Sequence, residues 1–110
     1  MELRHLRYFL ALAEELHFAR AAARLHIEQS PLSRTIKELE EELNVLLFQR
    51  SRRGTQLTWA GQVFLEDVQR IFTVLDQARN NVKAAATGYR GALRIVLSDG
   101  IVQPRLASLL

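Results

Sequence analysis

The segment 29–37 carries Gln29, Ser30, Ser33, Arg34 and Lys37, side chains in which hydrogen-bond donors outnumber acceptors. Such a set complements acceptor surfaces, above all phosphate oxygens and the base edges exposed in the major groove of a DNA duplex. At about 100° per helical residue, Ser30, Arg34 and Lys37 fall nearly opposite the row Leu32, Ile36, Leu39 and Leu43, with Ser33 on the flank. The segment therefore predicts one helix, starting near Gln29 or Ser30, with an apolar face and a donor face. Gln29 and Arg34 suit base edges, and Ser33 and Lys37 suit bases or phosphates. Pro31 falls in the first turn, where a missing N–H costs little. Glu40, Glu41 and Glu42 follow on the same helix and would repel a polyanion. A nucleic acid should thus meet the N-terminal half, where free backbone N–H groups and the positive end of the dipole add to the attraction.

A second helix must hold this one in place. Phe18, Ala21, Ala22 and Leu25 recur at the three-and-four spacing of an amphipathic helix, and the two alanines let another helix cross closely. Two helices joined by a tight turn, the second presenting its N-terminus, form the arrangement by which helix-turn-helix proteins enter a major groove. Before them, residues 2–16 predict a supporting helix with Leu3, Leu6, Phe9, Leu10, Ala13 and Leu16 inward and Glu2 in its first turn. Arg4 and Arg7 on that helix could reach phosphates or pair with carboxylates. His5, His17 and His26 share no metal-ligand spacing and read as surface or turn histidines.

After Asn44, the apolar run Val45 to Phe48 and the polar stretch ending at Leu57 read as a short hairpin. Leu47 and Leu57 anchor its arms, and Arg52, Arg53 and Gly54 form its exposed turn. Beside a recognition helix a basic hairpin serves as a wing, and arginines at its tip can enter a narrow A·T-rich minor groove. Taken alone, the same turn would read as a solvated loop.

Thr58 is a natural N-cap for a helix running to about Thr87, with Gly88 to end it. In it Phe64, Val68, Ile71, Leu75, Ala78, Val82 and Ala85 alternate spacings of four and three, a heptad seam. Leu65 and Phe72 widen the stripe near the start, where the helix can pack on its own domain. At 1.5 Å per residue it extends roughly 40 Å, too far for a three-helix domain of this size to cover. The expectation is a homodimer through this helix, the alternative being a core helix within one protomer. A winged unit of about 58 residues is marginal alone, so partner burial also has an energetic rationale.

The run ARAAARLHIEQSPLSRTIKELEEEL, together with MELRHLRYF at the start and GALRI near the end, resembles LysR-type transcriptional regulators over nearly the whole chain. The resemblance implies a mainly α fold, a winged helix-turn-helix over 1–58 and a linker helix over 59–88. Residues 89–110 would be a hinge and the truncated start of an α/β regulatory domain, with a strand near Ile95 and Ser98 bordering an inducer pocket. It implies a function as well: sequence-specific transcriptional regulation, with the recognition helix in the major groove and Arg53 chiefly in the minor groove of a dyad-symmetric, A·T-rich promoter site. The partners implied are double-stranded DNA, a second copy paired antiparallel through the linker helix, a tetramer for the full-length protein, and a small-molecule effector whose domain is absent here. At two positions the chain departs from the family pattern. Glu28 stands where a small or hydroxyl residue is usual, and it caps poorly and adds negative charge near incoming phosphates. Asn44 stands where Gly is usual, the next-best residue for a left-handed helix stop.

Composition narrows the alternatives. The 110 residues suit one small domain with an appendage, and no cysteine means no disulfide framework or thiolate metal site. A net charge of +3 is too small an excess to argue from except through its placement. The apolar stretches are short of a membrane span and the N-terminus is too charged for a signal peptide, so a cytoplasmic protein is expected, and the resemblance implies a bacterial one. No nucleophile has a matched base and no glycine-rich loop could cradle phosphate, so neither an enzyme nor a cofactor is expected. Two non-enzymatic readings compete with a specific regulator: a helical interaction module, which Glu28 favours, and an architectural DNA-binding protein with little sequence preference.

Overall fold

The computed structural model describes residues 1–88, over which the chain forms α1 (Leu3–Glu15), α2 (Phe18–Leu25), α3 (Gln29–Leu43), β1 (Phe48–Ser51), β2 (Gly54–Leu57) and α4 (Trp59–Thr87). Residues 89–110, with the expected hinge, strand and Ser98, lie outside the described residues. Residues Met1–Phe72 make one compact unit, which takes in α4 as far as Phe72, and a second unit begins at Thr73.

The first unit is built around α1. Leu6, Phe9, Leu12 and Ala13 are buried with Ala21 and Ala22 of α2 and Leu32, Ile36 and Leu39 of α3. The alanines lie where the helix-crossing argument requires small residues. Two of the residues expected inward on α1 are not there: Leu3 is 44% and Leu16 39% exposed. Leu3 opens the helix beyond the reach of the core, with Glu2 as N-cap instead of a first-turn residue. Leu16 is the C-cap in the left-handed region (φ 52°), which turns its side chain off the helical stripe. Ala11 and Leu12 are buried instead, because α1 is covered on more than one side.

Each of the first three helices ends on a left-handed residue other than glycine. At His26 and Asn44 the orphan carbonyls are satisfied in the Schellman manner. The N–H groups of His26 and Ile27 donate to Ala23 and Ala22 (3.1 and 3.0 Å), and those of Asn44 and Val45 donate to Glu41 and Glu40 (3.2 and 3.1 Å). His17 starts α2 as its N-cap, its Nδ1 accepting from the Arg20 N–H at 3.2 Å.

The hairpin pairs Phe48 with Leu57, Gln49 with Gln56, Arg50 with Thr55 and Ser51 with Gly54. Its turn is Arg52 and Arg53, and Gly54 adopts φ +104° with open space around it, so glycine is required there for backbone conformation alone. Leu47 is wholly buried but precedes the strand, so the two arms are anchored by Phe48 opposite Leu57.

Thr58 caps α4 as expected: its Oγ1 accepts from the Gly61 N–H (2.9 Å) and donates to the Leu46 carbonyl (2.6 Å). Its own N–H donates to the Leu47 carbonyl at 3.0 Å. Leu65 and Phe72 pack against the core, and so does more of the expected seam than the heptad pattern implied. The Phe64 ring meets Phe9 edge-on at 4.8 Å, and Val68 has no exposed surface. A side chain fully covered within its protomer has none left for a partner, so Val68 leaves the seam for the core. Within the second unit, the described part of α4 leaves Val74 and Val82 exposed (62% and 69%) and pairs Arg79 with Asp76 at 3.2 Å.

Gly61 marks the closest approach in the unit. A Cβ added there would lie 2.1 Å from the Leu47 carbonyl oxygen and 2.8 Å from Leu57 Cδ2. Gly61→Ala is therefore expected to lower the denaturant midpoint, with about 1–3 kcal/mol of overpacking outweighing the gain of about 1 kcal/mol in helix propensity. A raised midpoint would show that the helix start can move away from the wing.

Candidate nucleic-acid interface

The candidate side chains come from α3 and the β1–β2 turn of the first unit. Gln29, Ser30, Arg34 and Lys37 are exposed, as are Arg52 and Arg53, while Pro31 and Ser33 are half-buried. The donor face of α3 thus points away from Leu32, Ile36 and Leu39, as its spacing requires. Glu28 is the N-cap in extended conformation and makes no side-chain capping bond, so α3 opens with its first amides uncapped by that residue. Pro31 removes one of the N–H groups a cap would have served.

Arg50 joins these residues, and sequence reasoning missed it. Its guanidinium lies over the Phe18 ring at 4.2 Å and its Nη2 donates to Ser33 Oγ at 3.3 Å. One side chain of the wing therefore touches both helices of the helix-turn-helix. The signal was the strand period: Phe48 and Arg50 are two apart on β1, so a buried Phe48 turns Arg50 toward the helices. Because the Ser33 oxygen accepts from Arg50, its own hydrogen remains available to an outside acceptor.

The acidic end of α3 is also more specific than a repulsive patch. Glu40 Oε2 accepts from the N–H groups of Leu47 and Phe48 (2.8 and 3.2 Å), fixing the entry to the wing. Glu42 pairs with the N-terminal ammonium at 3.2 Å. Glu41 is exposed. An open groove of ≈ 720 Å³ runs between α3 and the wing, with Ser33, Lys37 and Arg50 along one part of its lining and Val45, Leu46 and Phe48 along another.

Charge pairing divides the cations of the first unit into two groups. Arg4 faces Glu2 at 3.7 Å, Arg7 lies over the Phe72 ring at 4.9 Å, and Arg70 pairs with Asp67. Arg20 is 3.9 Å from Glu15, and Arg24 reaches Glu14 at 2.5 Å and Glu15 at 3.3 Å. The hydrogen bond that Arg24 donates to Glu14 raises the Arg24 pKa above its ordinary value; burial opposes it, and the charge of Glu14 and the bond to Glu15 add to the rise. Arg34, Lys37, Arg50, Arg52 and Arg53 have no carboxylate partner among the described residues. Apart from Arg7, which stacks on Phe72 instead, every such cation of this unit lies on α3 or the wing. A polyanion could be met there without first breaking an ion pair.

Three helices with a close-crossing pair and a two-stranded hairpin define a winged helix-turn-helix domain. Residues 3–62 match the model of the bacterial regulatory helix-turn-helix proteins of the lysR family, and the chain belongs to that family. It is 46% identical over 110 residues to the HTH-type transcriptional regulator ClcR of Pseudomonas putida, covering 100% of this chain and 37% of ClcR. It is 46% identical over 111 residues to the HTH-type transcriptional regulator BudR of Klebsiella aerogenes, covering 100% of this chain and 78% of BudR. The crystal structure of the BenM DNA-binding domain with catB site 1 DNA superposes with a TM-score of 0.77 at 44% identity, over 81% of this chain and 96% of that one.

Glu40→Ala is expected to destabilise the domain by about 2 kcal/mol, since two partly buried N–H groups lose a charged acceptor. Glu40→Gln should recover part of that through its amide oxygen. Urea melts of the two variants check this, and equal midpoints for Glu40→Ala and the parent would reduce Glu40 to a surface charge.

Proposed function

We propose that this chain is the DNA-binding part of a sequence-specific transcriptional regulator acting in the cytoplasm on a dyad-symmetric promoter site. The observation that carries this reading is the distribution of cations: those on α3 and the wing lack carboxylate partners, while the other arginines of the same unit are paired or stacked. Membership of the lysR family, and the likeness to a BenM domain crystallised on DNA, support the same role.

In this mode the N-terminal half of α3 enters the major groove. Arg34 and Gln29 read base edges, while Ser33, Lys37 and the Ser30 end of the helix meet bases or phosphates. Arg52 and Arg53, at the exposed tip of the hairpin, enter the adjacent minor groove, where A·T-rich sequence narrows the groove and deepens the negative potential. Two copies pair through α4, using Ile71, Leu75, Ala78 and Val82 of the original seam together with exposed Val74; Phe64 and Val68 support the helix from inside the protomer. Four copies assemble in the full-length protein, whose effector domain is supplied by sequence beyond the described residues. No helix among the described residues is long and apolar enough to cross a membrane.

Selection from a random duplex pool at physiological salt should return a two-fold symmetric site with A·T-rich flanks, whereas recovery of no common sequence would defeat specific recognition. At that site Arg34→Ala should cost about 1–3 kcal/mol and relax one base position. An equal loss on random DNA would make Arg34 a phosphate contact. For the pairing, Ile71→Asp should convert the dimer to a folded monomer in sedimentation velocity, with the helical circular dichroism of the first unit kept. A persistent dimer would move the interface off this helix.

A further inference from the structure

The wing is a two-stranded hairpin, a form with little stability of its own in water, so its direction must be set by what it leans on. Its base is held by Glu40 and Thr58. Farther toward the tip, Arg50 lies over the Phe18 ring at 4.2 Å and donates to Ser33 at 3.3 Å. Arg50 has no carboxylate partner among the described residues, and in register it stands opposite Thr55, one pair from the Ser51 and Gly54 pair that closes the turn. We infer that Arg50 is a positioning residue for DNA reading: stacked on α2 and bonded to α3, it holds the wing tip at a set distance from the recognition helix. The inference rests on the wing being the minor-groove element proposed above.

The chemistry restricts which side chains can do this. A guanidinium is planar, stacks over an aromatic face and still presents edge N–H groups to a hydroxyl, whereas a lysine ammonium offers a point charge. Arg50→Lys therefore keeps the charge and loses the stack, and Phe18→Leu keeps the apolar packing and removes the ring. If the contact positions the wing, the two substitutions have the same effect, and combining them adds little.

The test has one arm without DNA and one with it, both on the whole chain. In the DNA-free protein, amide exchange of Gln49 and Gln56, the register pair that bonds across the hairpin, should quicken about two- to five-fold in Arg50→Lys and in Phe18→Leu, the range an exposed cation–π contact supports. Amides of Leu12 and Leu39 should keep their protection, which separates a loosened wing from a destabilised fold. On DNA, preference for A·T over G·C flanks should fall by a similar factor while base preference at positions read by α3 is kept. The salt dependence of binding should be unchanged. Unaltered wing exchange overturns the inference whatever the DNA result. A uniform loss on all sequences in Arg50→Lys, with none in Phe18→Leu, overturns it in favour of a plain phosphate contact. If the parent chain shows no sequence preference, the regulator reading fails while the exchange arm still decides whether Arg50 holds the wing.

Discussion

The first unit depends on the burial of Phe9. Its ring meets Phe48 at 5.4 Å and Phe64 at 4.8 Å, so one side chain of α1 ties the first wing strand and the first turns of α4 to the helical core. Tilted and edge-on pairs of this kind add to the area they bury, and a buried phenylalanine in a small domain carries a large part of its stability. The consequence is directional. With Phe48 fixed inward, the strand period turns Arg50 toward α2 and α3; with Phe64 fixed inward, Gly61 is drawn against the Leu47 carbonyl. The wing is held on one side by an aromatic contact and on the other by a helix start that tolerates no Cβ.

Electrostatics then divides this framework into faces. Carboxylates occupy Arg4 of α1, Arg20 and Arg24 of α2 and Arg70 of early α4, while Arg7 stacks on a ring, and exposed ion pairs of that sort contribute little to stability. Their larger effect is on where free positive charge remains. A net charge of +3 over 110 residues would barely attract a polyanion if evenly spread. Pairing all the other arginines of the first unit but Arg7 concentrates it on α3 and the hairpin, where cations without a carboxylate partner have no ion pair that would have to be broken. Glu40 fits this division: a carboxylate beside the interface is turned inward onto two backbone N–H groups and serves the wing.

Much of this was readable from the sequence. The three-and-four spacing located α2 and α3 and the faces of both, Ala21 and Ala22 marked the close crossing, Asn44 marked the left-handed stop of α3, and Thr58 marked the start of α4. What escaped was whatever depends on two segments meeting. Periodicity shows that Phe64 and Val68 lie on an apolar stripe, but a stripe is the same whether its cover is a neighbour in the chain or a second copy. Leu3 and Leu16 fit the helical period and fail at the helix ends, where the core stops or the backbone turns left-handed. Gly61, Glu40 and Arg50 owe their roles to a carbonyl, two amides and a ring supplied by distant segments. Helical or strand periodicity carries no record of those contacts, even for Glu40, whose two amides lie only just beyond its own helix.

This difference bears on how recognition could be tuned. Residues on the donor face of α3 are exposed and replaceable, so base preference can change there at little cost to the core. The spacing between α3 and the wing tip is set instead by Phe9, Gly61, Glu40, Phe18 and Arg50, each committed to an internal contact. A change to the second group shifts or loosens the whole hairpin and so alters what both wing arginines reach together. In the proposed mode, sequence preference at α3 should therefore vary freely among chains of this fold, while the geometry relating α3 to the wing tip is constrained by packing. Arg50 is the one member of that second group with an exposed cationic head, so on the proposed role it is the point where the placing of the wing and the reading of DNA are hardest to change separately.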